Sequence, residues 1–140
     1  MASLNFNSGV RAALAGGINY ASDTFKMMLV SAAPGETQKD AWDFRSNVTT
    51  EITGTGYTAG GKAVTLALGA TDDANNRVDI TASAVSWPSS TITAAAAIIY
   101  KDTGNAATDQ LVCSIDFGGN VSSTNDAFTV TPSGQLRFQN

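Results

Sequence analysis

Hydrophobic residues recur at every second position over most of this chain, which is the period of a β-strand. The alternation begins at Phe25, Met27 and Leu29. Met28 is an exception, because it is apolar at a position where the alternation predicts a polar residue. Further runs of the same kind contain Val64, Leu66 and Leu68; Val78 and Ile80; Val85 and Trp87; Leu111 to Phe117; Phe128 and Val130; and Leu136 and Phe138. Because a half-buried strand places alternate side chains on opposite faces, these runs predict about eight strands.

Turn-forming residues separate these runs. Residues 72–76 read DDANN, and residues 88–90, 118–120 and 132–134 read PSS, GGN and PSG. These residue types tolerate tight turns, so each segment is expected to reverse the chain. One helix is predicted over residues 8–17, where Ser8 would cap the first turn and Gly16 would end the last.

About eight short strands must cover their apolar faces, and two packed antiparallel sheets do so. The pattern therefore predicts an all-β, jelly-roll-like sandwich with one short N-terminal helix. The length of 140 residues suits one domain, residues 1–140, with a long loop or arm at about residues 31–61.

Composition points to a protein that contacts other proteins. Charged residues make up 14% of the chain, well below the roughly 25% that is usual, so much of the surface is expected to be neutral. The net charge is −4 and the basic residues are scattered singly, which argues against a nucleic-acid partner. No apolar run reaches the roughly 18 residues of a membrane span, and the first residues do not resemble a signal peptide, so synthesis in a cytoplasm is expected.

The segment at residues 31–61 interrupts the strand pattern. It is polar, contains few apolar positions and still carries three aromatic residues, Trp42, Phe44 and Tyr57. Two interpretations are open for Trp42 and Phe44, since they could fold back over the end of the sandwich or anchor an arm on a partner. Trp42, Phe44 and Tyr57 are therefore candidate interface residues.

Residues 91–100, with the sequence TITAAAAIIY, are apolar on both faces if they form a strand. Strict alternation would place Ile92, Ala94, Ala96 and Ile98 on one face and Ala95, Ala97 and Ile99 on the other. Such a strand is either central and covered on both sides, or it forms a contact between subunits. On the second interpretation Ala95, Ala97 and Ile99 are interface residues, and a two-fold homodimer is expected.

The chain contains no arrangement that indicates catalysis. It has no histidine, which excludes Ser-His-Asp and Cys-His sites and histidine metal ligands. Residues 56–62 match the spacing G-x-x-x-x-G-K of a phosphate-binding loop, but Ala63 stands where a hydroxyl is needed and a strand follows instead of a helix. The acidic residues lie mainly in turns, and Asp72, Asp73 and Asn76 lack the spacing of a calcium loop. Cys113, in an apolar alternation, is expected to be buried. No catalytic residue, cofactor or metal is predicted.

Several motifs in their order along the chain resemble a known family. They are DTFKMMLV at residues 23–30, the loop around Trp42, EITGTGYTAGG at residues 51–61, VSW at residues 85–87 and AIIYKDTG at residues 97–104. Together they resemble small virion structural proteins of tailed bacteriophages, specifically jelly-roll capsid cement or decoration proteins of the Bordetella-phage type.

The resemblance implies a non-enzymatic protein of the virion. Its partners would be the major capsid protein and further copies of itself, and it would stabilise the capsid by cementing neighbouring capsomers. An alternative is a tail or fibre jelly-roll component that binds a host receptor or glycan. A small carbohydrate-active enzyme is a third alternative, which would need two carboxylates brought together in a cleft.

Overall fold

A computed structural model describes residues 2–134 and 136–139 as two packed antiparallel sheets. The five-stranded sheet has the order β1-β7-β6-β2-β3, and the three-stranded sheet has the order β4-β5-β8. The strands are β1 Ala2–Asn5, β2 Phe25–Val30, β3 Lys62–Val64, β4 Leu66–Asp72, β5 Arg77–Ala82, β6 Val85–Lys101, β7 Leu111–Val130 and β8 Leu136–Gln139. The helices are α1 Asn7–Leu14 and α2 Glu36–Ala41, with a 3-10 turn at Arg45–Asn47. The predicted all-β sandwich with a short N-terminal helix is confirmed.

The main core lies between the two sheets. Phe25, Met27 and Leu29 of β2 face it, as the alternation predicts, and residues of the three-stranded sheet close it from the other side. Its buried members include Leu66, Ile80, Leu136, Trp87, Phe128, Val130, Cys113 and Ile115. Burial of these alternate positions supplies the main driving force for the sandwich.

A second apolar cluster lies on the opposite face of the five-stranded sheet. Its buried members are Phe6, Met28, Val30, Ala96, Ile98, Tyr100 and Leu111. Leu4, Ala33, Trp42 and Val48 pack against it and are partly buried themselves. Strand β2 and residues 96–100 of β6 are therefore buried on both faces, which explains why Met28 interrupts the polar positions of its strand.

The strands β6 and β7 form one long hairpin, and this corrects two predicted turns. Residues 88–90 lie inside β6 and residues 118–120 lie inside β7. The register shifts at both places, and Ser89, Gly118 and Gly119 have φ angles of 51°, 81° and 157°. Residues that tolerate positive φ serve β-bulges as well as turns, so the same sequence signal marks a bulge here.

The register shift that places Ala95 opposite residues 117–120 also corrects the predicted faces of β6. Ala94 is opposite Val121, whereas Ala96 is opposite Asp116, so the register shifts between them. As a result Ile92 and Ala94 belong to the main core together with Ala97 and Ile99, while Ala96 and Ile98 belong to the second cluster. The unpaired residue of a bulge reverses which face the following side chains occupy.

Helix α1 ends as predicted but begins differently. Gly16 has a φ angle of +83° and its N–H donates to the carbonyl of Ala13, so it ends the helix. Ser8 lies inside the first turn, and Phe6 occupies the capping position without a side-chain cap. Helix α2 and strand β1 were not predicted.

Candidate interaction surfaces

The structure places the candidate residues of β6 mostly in the interior. Ala97 and Ile99 are buried in the main core, and Ala95 at the bulge is half-buried. The cover on both faces comes from the chain itself, from the three-stranded sheet on one side and from the segment of residues 31–61 on the other. The interpretation of Ala97 and Ile99 as subunit contacts is therefore corrected, because interior side chains are not accessible to a partner.

The segment of residues 31–61 packs on the sandwich rather than extending from it. Trp42 is half-buried and contacts the second cluster. Backbone hydrogen bonds connect the segment to the sheet, from the N–H of Ile52 to the carbonyl of Leu29 at 3.1 Å and from Thr91 to Thr55 at 3.0 Å. Of the two interpretations left open for its aromatic residues, the geometry supports the folded-back one.

Phe44 and Tyr57 are also partly buried in this structure. Phe44 forms an isolated β-bridge with Gln110, which ties it to the start of β7. The Tyr57 hydroxyl donates to Glu51 Oε1 at 2.8 Å and accepts from the N–H of Leu29 at 3.1 Å. Burial raises the pKa of Tyr57, and the adjacent Glu51 carboxylate adds to this, so the phenol stays protonated. Both aromatics hold the segment onto its own domain.

A buried ion pair, absent from the sequence-based prediction, holds the same segment. Arg45 Nε donates to Asp109 Oδ2 at 2.8 Å, and the Asp109 side chain is 0% exposed. The other carboxylate oxygen, Oδ1, accepts from the N–H of Thr103 at 2.7 Å and from its hydroxyl at 2.8 Å. Burial alone would raise the pKa of Asp109, but the hydrogen bonds from Thr103 and Arg45 outweigh it and the pKa is lowered.

The guanidinium of Arg45 also lies over the ring of Tyr100, at 5.4 Å from its centroid. The Tyr100 hydroxyl donates to the carbonyl of Gly60 at 2.6 Å. One arginine thus joins the segment to β6 and to the β6–β7 loop at once. These contacts stabilise the fold, because the Asp109 carboxylate and the Tyr100 hydroxyl both find hydrogen-bond partners within the chain.

Replacing Trp42 by alanine tests whether this segment is a cover or an arm. We expect Trp42→Ala to lower the free energy of unfolding by about 2 kcal/mol, roughly half the cost of a fully buried tryptophan. Chemical denaturation measures the change. An unchanged stability, together with protease cleavage of residues 33–53 in the free protein, would show instead that the segment is a detached arm.

The open end of the three-stranded sheet forms a cleft. Val78 and Phe138 are opposite one another, on the face that carries the buried Ile80 and Leu136, but they extend past the core, and Phe138 is 39% exposed. Leu68, opposite Ile80, is 57% exposed on the same face. The cleft has a volume of about 400 Å³ and is lined by Thr71, Asp72, Asp73, Asn76, Arg77, Val78 and Phe138. We call it the open cleft.

The opposite face of this small sheet is charged. Arg77 pairs with Asp72 and Asp79 at 3.2 and 3.3 Å, and Arg137 pairs with Asp79 at 2.6 Å. The sheet therefore has one ionic face and one apolar face, and the apolar face continues beyond the part that its own core covers. In the open cleft the partly exposed apolar side chains of Val78 and Phe138 have polar and charged neighbours, including Asp72 and Arg77. An exposed apolar patch rimmed by polar residues is typical of a binding site.

A second surface runs along β7. It is a groove of about 450 Å³ lined by Phe117, Val121, Ser122, Ala127, Phe128, Thr129, Val130 and Thr131. Val121 is 45% exposed, and the rings of Phe117 and Phe128 lie 6.1 Å apart. No charged side chain lines it. We call it the β7 groove.

The remaining candidate features behave as structural elements. Cys113 is buried, and burial raises the pKa of its thiol to about 12. Lys62 begins strand β3, so the G-x-x-x-x-G-K segment does not open a helix. Within residues 2–134 and 136–139, no group of three or more His, Cys, Asp or Glu is placed to hold a metal, and no helix is long and apolar enough to cross a membrane.

Comparison of the chain with protein-family models, with curated proteins and with solved structures found no match.

Proposed function

We propose that this chain is a non-enzymatic structural protein of a tailed-phage virion, which binds the outer surface of the capsid and cements neighbouring capsomers. The observation that carries the proposal is the open cleft, where Val78 and Phe138 present apolar surface that their own core leaves uncovered. The sequence resemblance to capsid cement proteins supplies the identity of the partner, the major capsid protein.

Two further features support a binding role over catalysis. The contacts of Trp42, Tyr57 and Arg45 hold residues 31–61 on the sandwich, so these side chains stabilise the fold. Much of the surface carries hydroxyl and amide groups, with few charges to desolvate on contact. A protein of this kind is synthesised in the host cytoplasm and functions on the assembled particle.

The protein would stabilise the capsid by burying surface at each seam and by doing so at many equivalent sites. A shell under pressure from packaged DNA is held by many subunit contacts, and a small protein bound across a seam adds buried surface to each one. Side chains such as Leu68 and Phe138 would lose their remaining exposed area, at roughly 25 cal/mol per Å² of apolar surface. Each contact can be weak, because the particle presents many equivalent sites.

Charge placed in the open cleft tests this proposal. We expect Phe138→Asp to weaken binding to capsids of the source phage, stripped of this protein, by at least about tenfold, since Phe138 lines the cleft and the new carboxylate would be desolvated against the capsid. Cosedimentation with the capsids measures the affinity. Leu14→Asp is the matched control, because Leu14 is exposed on α1, outside the open cleft. Equal affinity for both variants and the native protein would exclude the cleft as the capsid contact.

One observation favours a second candidate, a tail or fibre component that binds a host glycan. The open cleft places an exposed aromatic ring, Phe138, beside the carboxylates of Asp72 and Asp73 and the amide of Asn76. Aromatic faces with adjacent carboxylate and amide groups suit the apolar faces and hydroxyls of a sugar. A glycan array decides between the two candidates: saturable binding lost in Asp73→Asn, with no capsid binding, would favour the glycan.

A further inference from the structure

The floor of the β7 groove belongs to the main core. Phe128 and Val130 line the groove although they are only 4% and 3% exposed, so it reaches interior side chains. The half-buried Phe117 forms a wall, and its ring centroid lies 6.1 Å from that of Phe128. The buried ring of Trp87 packs edge to face against Phe128 at 6.4 Å. The groove is therefore a recess that ends on the aromatic part of the core.

Val121 shows why this recess is open to solvent. It is opposite Ala94 in the β6–β7 pairing, and Ala94 is buried in the main core. Because directly opposite residues of an antiparallel pair share a face, Val121 lies on the core side of the sheet. It is nevertheless 45% exposed, so the cover of the core ends before it reaches this part of β7. An uncovered apolar recess of this kind is typical of a binding site.

The backbone of β7 beside the groove is unsuited to pairing with an added strand. Gly118 and Asn125 have positive φ angles of 81° and 51°, and the β6–β7 register shifts near both. The N–H of Asn125 donates to Thr91 Oγ1 at 3.0 Å, and the N–H of Gly118 donates to Asp116 Oδ1 at 2.8 Å. Bulges protect a strand edge from pairing. The occupant of the groove is therefore recognised by side chains and by shape.

The polar groups of the groove are hydroxyls, and they lie around its apolar floor. The Ser122 hydroxyl is bonded to that of Thr93 at 2.7 Å, and the Thr129 hydroxyl donates to that of Ser86 at 3.0 Å. Thr131 adds an exposed hydroxyl at the end of the strand. A charged group bound here would be desolvated without a counter-ion in the lining, which is costly. The lining therefore suits an uncharged ligand with an apolar body and a hydrogen-bonding group.

We propose that the β7 groove binds a small uncharged molecule whose apolar body packs against the rings of Phe117 and Phe128. Its volume of about 450 Å³ lies within the range of roughly 300–1,000 Å³ that ligand sites have. A cavity of about 150 Å³ holds one benzene ring, so the groove admits a body of one or two rings. It shares no lining residue with the open cleft, so this site is independent of capsid binding.

Three probes that share one skeleton test the class of ligand. They are 2-phenoxyethanol, which is neutral, phenoxyacetate, which is anionic, and 2-phenoxyethylamine, which is cationic at neutral pH. Fluorescence of Trp87 reports binding, because its ring packs against Phe128, and Trp42→Phe removes the other tryptophan of the chain. We expect a saturable change with 2-phenoxyethanol and a Kd of about 1–10 mM, as for other ligands of this size.

Both charged probes should bind at least about fivefold more weakly than 2-phenoxyethanol, because their charge would be desolvated in the groove. The net charge of −4 would by itself favour the cation, so weaker binding of both signs isolates the desolvation effect.

Charge placed in the groove locates the site. In the same Trp42→Phe background, Val121→Asp should weaken 2-phenoxyethanol binding at least about tenfold without changing the melting temperature, since its position is already exposed. Ala127→Asp, at a second exposed position of the lining, should do the same. Phe138→Asp is the matched control, because it lies in the open cleft and should bind the probe normally.

Three results would overturn this proposal, whatever the capsid assay shows. They are the absence of a saturable response to 2-phenoxyethanol, as for a groove that receives only a partner protein, equal affinity for all three probes, and unchanged binding in both groove variants.

Discussion

Gly61→Ala is expected to destabilise the fold by more than about 4 kcal/mol, enough to prevent folding in a marginally stable domain. Gly61 has a φ angle of +75°, and a Cβ at this position would lie 1.8 Å from the carbonyl oxygen of Met27. That oxygen belongs to a central strand of the five-stranded sheet, so the backbone of β2 would have to move. Circular dichroism and denaturant unfolding of the purified variant measure the loss.

Gly104→Ala separates the clash from the backbone conformation. Gly104 has a similar φ angle of +83°, but a Cβ there would meet no atom within 4 Å. Its cost should therefore be only the roughly 1–2 kcal/mol of a left-handed conformation in alanine. Similar losses in both variants would mean that β2 does not approach Gly61 as closely as the structure describes.

The strand pattern was predictable where one face is buried and the other is solvated. β2, β5 and the ends of β6 and β7 have alternating side chains, and each was found from the sequence. β1 was not predicted because its four residues, Ala2–Asn5, are too few to show a period. α2 was not predicted because its sequence, ETQKDA, has no apolar stripe. A period becomes visible only when the element buries one face over several turns or pleats.

The length of the β6–β7 hairpin was not predictable from local signals. Pro88 and Gly118 belong to segments that suit a turn or a bulge equally well, and only pairing between distant residues decides between them. The hairpin turns instead within residues 102–110, where Asp109 and Thr103 are hydrogen-bonded across the loop. Pairing between distant strands therefore decides whether a turn-forming segment becomes a turn or a bulge.

The candidate interface residues illustrate the same limit. Sequence analysis identified correctly that residues 94–99 need cover on both faces, but it could not identify what covers them. The cover consists of a polar segment whose key contact, between Arg45 and Asp109, joins residues 64 positions apart.

Breaking the ion pair between Arg45 and Asp109 should also destabilise the fold strongly. We expect Arg45→Met to lower the free energy of unfolding by about 3–5 kcal/mol, because it leaves the carboxylate of Asp109 buried without its counter-ion. The methionine keeps much of the arginine's apolar stem, so the loss reports mainly on the contacts of the guanidinium with Asp109 and Tyr100. Urea denaturation at neutral pH measures it.

Lys26→Met is the matched control for this prediction. Lys26 pairs with Asp102 at 3.3 Å, but its side chain is 38% exposed, and surface pairs of this kind contribute about 0–1 kcal/mol. The pH dependence gives a further check. Since the pKa of Asp109 is lowered on folding, its contribution is present above the ordinary aspartate pKa of about 4 and is lost as the pH falls below that value. The difference between the native protein and Arg45→Met should therefore narrow in acid, and a difference that stayed constant down to pH of about 2 would contradict the role assigned to Asp109.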